Sequence, residues 1–171
     1  LEARLAELLL DFSGLTDEDA AATALARYAE LYLDKGSAPK RFGVRRGHDE
    51  EEVIFFEDRF EHAFTKTVSW QRKGPPDRDR CERVAWIGPI IAGEIAGTEC
   101  WLVPPKNGNR DVSRRPRNRV YLVPAERYVV WLEPRQSGGW KFSSAYVAGY
   151  GDIRRYQKQG RRLWAHEKPR D

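Results

Sequence analysis

NRVYLVPAERYVVWLEPRQSGGWKFSSAYV, residues 118–147, is the part of this chain whose reading decides the fold. Three runs rich in Val, Trp and Tyr, "NRVYLV" (118–123), "RYVVWLE" (127–133) and "WKFSSAYV" (140–147), are separated only by "PAE" and "PRQSGG". β-Branched and aromatic residues suit a pleated surface, and connections this short join antiparallel neighbours, so the stretch predicts consecutive hairpins. "TECWLV" (98–103) has the same composition upstream. Together these make an antiparallel meander of about four strands.

Helical periodicity dominates the chain before that point. Leu1, Leu5, Leu8 and Leu9 fall at helical spacing and "SGL" (13–15) ends the pattern. Thr16 followed by Asp17, Glu18 and Asp19 is a helix start, since a hydroxyl cap and early carboxylates satisfy the exposed amide end. That helix carries Ala21, Leu25, Tyr28, Ala29 and Tyr32 and stops at Gly36. "GSAPKRFGVRRGHDEEE" reads as a charged loop. A third helix is predicted over 55–68, with Phe56, Phe60, Ala63 and Phe64 as its buried stripe. "QRKGPPDRDR" reads as the most flexible stretch within the fold, while "CERVAWIGPIIAGEI" fits either a strand or a helix followed by a turn. After "GYG" (149–151) the chain reads as a basic tail with at most a turn or two of helix. Helices followed by a meander predict an α+β fold, with the N-terminal helices packed on one face of the sheet and the other face free.

The totals restrict function less than form. With 171 residues, 40% hydrophobic, 33% charged and 12% aromatic, the composition is that of one globular domain with a heavily charged surface. A net charge of +4 admits polyanions as partners. Acid is concentrated in "TDEDA" (16–20) and "HDEEEV" (48–53), whereas Arg and Lys outnumber acids from residue 104 onward. Cys81 and Cys100 form no dense framework, so two buried thiols in a reducing, cytoplasmic interior are expected. No apolar run approaches the roughly 20 residues of a membrane span, so no membrane partner is expected. With Leu first and no Met, the sequence reads as trimmed or as a piece of something longer.

Chemistry concentrates in the third helix and the last strand. In one helix Arg59, His62 and Lys66, spaced i, i+3 and i+7, would share a sector of roughly 60°. A His among cations tends to stay neutral, which suits a general base, and the cations suit a phosphate. A solvated helix face with an ordinary surface His is the plainer reading of the same pattern. Strict alternation over 140–147 puts Trp140, Phe142, Ser144 and Tyr146 on one face, where rings can stack on bases and hydroxyls can hold a phosphate. Such a face is ordinarily core; hydroxyls on both faces and its place in the basic half favour a cleft. "RDVSRRPRNR" (110–119), with Arg114, Arg115 and Arg117, reads as a loop able to grip phosphates. His48 beside Asp49–Glu52 lacks a second His and reads as solvated, so no metal site is assigned, and His166 lies in the tail. No phosphate loop, GxSxG, HExxH or paired CxxC is present.

"HAFTK" (62–66), "RVAWIGPI" (83–90), "YVVWLEP" (128–134) and "WKFSSAY" (140–146) together resemble the barnase, EndoU, colicin and RelE-like nuclease superfamily, in particular its phage-associated members. The resemblance covers roughly residues 55–150. It implies a nuclease-like α+β core there, an N-terminal helical extension and loop over 1–54, and a basic tail over 151–171. It implies a toxin-like, metal-independent endoribonuclease without cofactor. RNA, tRNA included, would be its substrate, and a cognate inhibitor protein a possible partner.

Position by position, the family's helical His corresponds to His62, its accompanying cation to Lys66, the Arg before the apolar segment to Arg83, and the terminal Thr or Ser to Ser144, with Tyr146 after it. Ser stands here where the family typically has Thr. His62 would then take the proton from a ribose 2'-hydroxyl, Lys66 and Arg83 would stabilise charge, and Ser144 would position the phosphate. Tyr146 would be the acid or a stacking platform. Arg59, Arg114, Arg115, Arg117 and Trp140 would bind substrate. The alternative is a non-catalytic RNA-binding or protein-interaction domain of a phage or mobile element.

Overall fold

The computed structural model describes residues 3–36, 40–69, 72–104 and 117–166. The chain opens with α1 (Ala3–Glu7) and α2 (Asp17–Tyr32), the latter capped by Thr16, whose hydroxyl accepts from the Asp19 amide at 3.1 Å. Its buried stripe is Ala20, Ala24, Tyr28 and Tyr32, one turn apart, while Leu25 is exposed. Small residues on that stripe let α2 lie close to the sheet, and the two tyrosines fill the space beneath. Tyr28 donates to the Phe56 carbonyl at 2.8 Å and Tyr32 to the Val84 carbonyl at 2.7 Å, so both buried hydroxyls are satisfied.

The stretch expected to be a loop contains β1 (Phe42–Arg46) and β2 (Glu52–Phe56), an antiparallel pair. Gly43 is required there, because a Cβ would stand 2.0 Å from the Tyr32 carbonyl oxygen where β1 crosses the end of α2. The predicted 55–68 helix shrinks to α3 (Arg59–Phe64) and continues as β3 (Thr65–Ser69), paired with β4 (Arg72–Pro76) in a separate hairpin. The ambiguous segment is helical: α4 (Arg78–Glu82), a 3-10 turn (Val84–Trp86) and α5 (Ile87–Ile91).

The four predicted strands are β5 (Glu99–Val103), β6 (Asn118–Val123), β7 (Tyr128–Pro134) and β8 (Trp140–Val147). The fold is α+β, but its sheet is not a four-stranded antiparallel meander. Seven strands run in the order β1-β2-β8-β7-β6-β5-β9, and β2 pairs with β8 in parallel. The supposed tail supplies α6 (Tyr150–Gln159) and β9 (Arg161–Ala165), which pairs with β5. Strands from the first, middle and last parts of the chain therefore share one sheet.

Nor is the second face free. In β6 and β7 both parities are apolar, so both faces must be covered. Tyr121, Val123, Tyr128, Val130 and Leu132 join the large core under α2–α5, with Phe55, Trp86 and Phe142. Val120, Leu122, Val129 and Trp131 face the other way, where Ile153 and Tyr156 of α6 close over them. Among the described residues no helix is long and apolar enough to cross a membrane.

Candidate functional site

The expected aromatic face of β8 is broken by a β-bulge. Trp131 pairs with Ser144 and Leu132 with Phe142, which leaves Ser143 as the extra residue. Before the bulge Trp140 and Phe142 face the large core; after it Ala145 does. Tyr146 packs instead against the second core, on the α6 side. Trp140 and Phe142 therefore do not share a face with Ser144 and Tyr146.

Pairing with β2 reaches only Trp140 and Lys141, so the rest of β8 is met along this edge by α3 and α4. Arg59, the first residue of α3, takes the place of a neighbouring strand. Its Nε donates to the Ser143 carbonyl at 2.9 Å and its Nη2 to the Ser143 hydroxyl at 2.7 Å. That hydroxyl donates in turn to Glu133 Oε1 at 3.0 Å, and Lys141 Nζ lies 3.3 Å from Glu133 Oε2. Partial burial of Glu133 raises its pKa, but the Ser143 and Lys141 hydrogen bonds and the charges of Arg59 and Lys141 outweigh this and hold the carboxyl below its usual range.

Beside this network lies a cleft of about 740 Å³ between the start of α3 and the β7–β8 hairpin. Lys40, Arg59, Arg135 and Lys141 line it, with one carboxylate, Asp58, and with Phe56 and Phe142. Lys40 holds Asp58 at 2.9 Å. Arg135 has no carboxylate partner among the described residues, and Gln136 and Ser137 supply further polar groups.

The expected site residues are distributed as follows. His62 is exposed on α3, one turn after Arg59. Lys66 is exposed but stands in β3, beyond the helix end at Phe64, so the three-residue helical sector expected of Arg59, His62 and Lys66 does not exist. Arg83 sits between α4 and the 3-10 turn; its guanidinium donates to the Asp79 carbonyl at 2.6 Å and lies 5.1 Å from the centre of the Trp86 ring. Ser144 is half-buried opposite Trp131. The Tyr146 hydroxyl is 2.9 Å from that of Tyr156, and burial together with this bond pushes its phenol well above the ordinary range. Arg80 of α4 lies 5.4 Å from the Tyr146 ring centre. Trp140 is half-buried under the Arg119 guanidinium at 4.7 Å. Arg117 is exposed, and Arg114 and Arg115 lie outside the described residues.

α3 and β8 are thus brought together, and Arg59 is the residue that joins them. Reasoning from sequence missed Lys40, Arg135, Lys141 and Glu133. A signal for the last two was present, because the hairpin over 134–139 places Glu133 and Lys141 opposite each other as an ion pair. Two further expectations change. Arg119, at the end of the run taken for a phosphate-gripping loop, is buried and paired with Asp49 at 2.6 Å, while Asp49 itself stays exposed to solvent, as read. His166 stands on the edge of the fold, its Nδ1 2.8 Å from the Gly93 carbonyl.

Comparison with protein-family models, with curated proteins and with solved structures finds no match to this chain.

Proposed function

We propose that this protein is an endoribonuclease that cleaves RNA without a metal ion, at the junction of α3 and β8. One observation carries the reading: the helix bearing Arg59 and His62 is fastened by Arg59 to the strand bearing Ser144 and Tyr146, beside a cleft whose lining includes four cations. The resemblance of "HAFTK" and "WKFSSAY" to the barnase, EndoU, colicin and RelE-like superfamily supports the same pair of elements.

In the reaction, the imidazole of His62 takes the proton of a ribose 2'-hydroxyl and the freed oxygen attacks the adjacent phosphorus. The bond to the 5' oxygen breaks, and that oxygen takes a proton from a solvent water, the hydroxide so formed being neutralised by the proton that His62 has gained. The products are a 2',3'-cyclic phosphate and a 5'-hydroxyl. Arg59 and Lys141 neutralise the crowded phosphorane from the cleft side, and Ser144 positions the phosphate.

A second reading, an RNA-binding domain without catalysis, is favoured by the state of Tyr146. A half-buried phenol bonded to Tyr156, its pKa well above the ordinary range, is poorly disposed to protonate a leaving group. Incubation with total RNA in EDTA separates the two. Cleavage that leaves cyclic phosphate ends, spares DNA and falls at least about 100-fold in His62→Ala supports the enzyme. Intact RNA, or cleavage unchanged by that substitution, removes it.

A further inference from the structure

The stretch expected to be a basic tail, "YGDIRRYQKQGRRLW" (150–164), builds a charged surface that the cleft does not use. α6 buries Ile153 and Tyr156 in the second core. At 3.6 residues per turn, Tyr150, Arg154 and Lys158 fall within a sector of roughly 80° away from that core. All three are exposed, Tyr150 by 68%, the largest exposure among the big apolar side chains described. Gly160 then turns the chain tightly into β9, where a Cβ would stand 2.7 Å from the Tyr156 carbonyl oxygen. Two residues on, Arg162 pairs with Trp101, which packs against the second core, so the exposed Arg162 lies on the α6 side of the sheet. Arg154, Lys158 and Arg162 have no carboxylate partner among the described residues. Asp152, the one acid of α6, is already held by Arg155 at 2.7 Å.

We propose that the outer face of α6 and the start of β9 form a binding surface for single-stranded RNA, with backbone phosphates on Arg154, Lys158 and Arg162 and a base against Tyr150. The charge selects the occupant. Three cations without a carboxylate among them attract a polyanion. A lipid surface fits less well, because a helix lying on a membrane sinks an apolar face into it, and α6 has committed Ile153 and Tyr156 to the core. Tyr150 favours a single strand over a duplex, since only an unpaired base can lie against a ring. The Arg127 guanidinium, 5.0 Å from the centre of that ring, sets a further cation beside it. The proposal rests on reading the protein as one that handles RNA and adds to the cleft a second contact that does not depend on base sequence.

The test is a salt titration of binding to a labelled, uncleavable 2'-O-methyl single strand of roughly fifteen nucleotides, read by fluorescence anisotropy. Each phosphate contact on a single strand adds about −0.7 to the slope of log K against log salt. Replacing Arg154, Lys158 and Arg162 together by Gln should therefore flatten the slope by about 2 and weaken binding roughly tenfold or more at about 0.1 M salt. Tyr150→Ala should weaken binding roughly fivefold or more with the slope unchanged, because stacking releases no counterions, and Tyr150→Trp should restore it. Replacing Arg4, Lys35 and Arg46, three cations exposed elsewhere, by Gln should leave the slope near that of the unsubstituted protein. Circular dichroism melts confirm that these surface variants are folded. A slope unchanged in the α6 variant, or flattened equally in the control, overturns the surface. Absence of RNA binding by the unsubstituted protein overturns it too, and sedimentation on phosphatidylserine vesicles would then assign the face to a membrane. Cleavage assays keep the two readings apart. Cleavage in EDTA with an unchanged slope sinks this surface alone, and a flattened slope without cleavage sinks the nuclease alone.

Discussion

Arg59 holds both the carbonyl and the hydroxyl of Ser143, at 2.9 and 2.7 Å, and so closes the edge of β8 where β2 has turned away. The bulge and the guanidinium depend on each other. Without the bulge there is no outward hydroxyl between Arg59 and Glu133, and without Arg59 the bulged carbonyl loses its donor.

Arg59→Ala should therefore cost about 2 kcal/mol, the range for hydrogen bonds to a charged group, and Ser143→Ala about 1 kcal/mol because the carbonyl contact survives. Urea denaturation of the two single variants and the double variant checks this. The double variant should cost less than the sum of the singles, since both remove the same bond.

Glu133 makes the stability of this corner depend on pH. Its carboxyl is held below the ordinary range in the folded protein, so the unfolded chain takes up a proton first as pH falls. The stabilisation is complete above the ordinary carboxylate pKa of about 4.3 and is lost as pH drops through the lower folded value. Thermal melts across that window should show a shallower acid limb for Glu133→Gln. An unchanged limb would place the acid sensitivity elsewhere.

The strands of the meander were legible because Val, Trp and Tyr leave little choice of local structure. What escaped was decided by tertiary contact. "FGVRR" and "RRLWA" are too charged to read as strands, yet β2 and β5 provide partners for them. The helix over 55–68 was over-read because Phe56, Phe60 and Phe64 keep helical spacing across a boundary. Phe56 belongs to β2, while Phe60 and Phe64 are core on α3. That Arg59 and His62 share a helix was legible from their spacing. The bulge was not, because two adjacent serines carry no parity by which a slipped register would be noticed. Arg119 could have been found, since it shares parity with Tyr121 and Val123, which face the large core.

That buried arginine gives a sharper test of stability. Its side chain is 7% exposed and that of Asp49 27%, so removing the carboxylate strands a guanidinium inside the protein. Asp49→Ala should cost about 3–5 kcal/mol by urea denaturation. Adding Arg119→Met, which removes the stranded charge, should recover much of the loss. A cost as large in the double variant as in Asp49→Ala would mean that Arg119 contributes by packing on Trp140 rather than by charge.

The two thiols provide a probe of folding that leaves the polar site untouched. Cys81 and Cys100 are buried and free, and burial pushes both pKa values up to about 12, with the charge of Asp77 adding to the effect at Cys81. The thiolate is the reactive species and at pH 8 it is scarce in both, so native protein should resist iodoacetamide. In denaturant both should react at the rate of ordinary thiols. The difference isolates local opening. β5, which holds Cys100, is paired on both sides, whereas Cys81 lies on a helix of a single turn and a half, so Cys81 should be labelled first as denaturant rises. Simultaneous labelling would show that α4 and the sheet open as one unit.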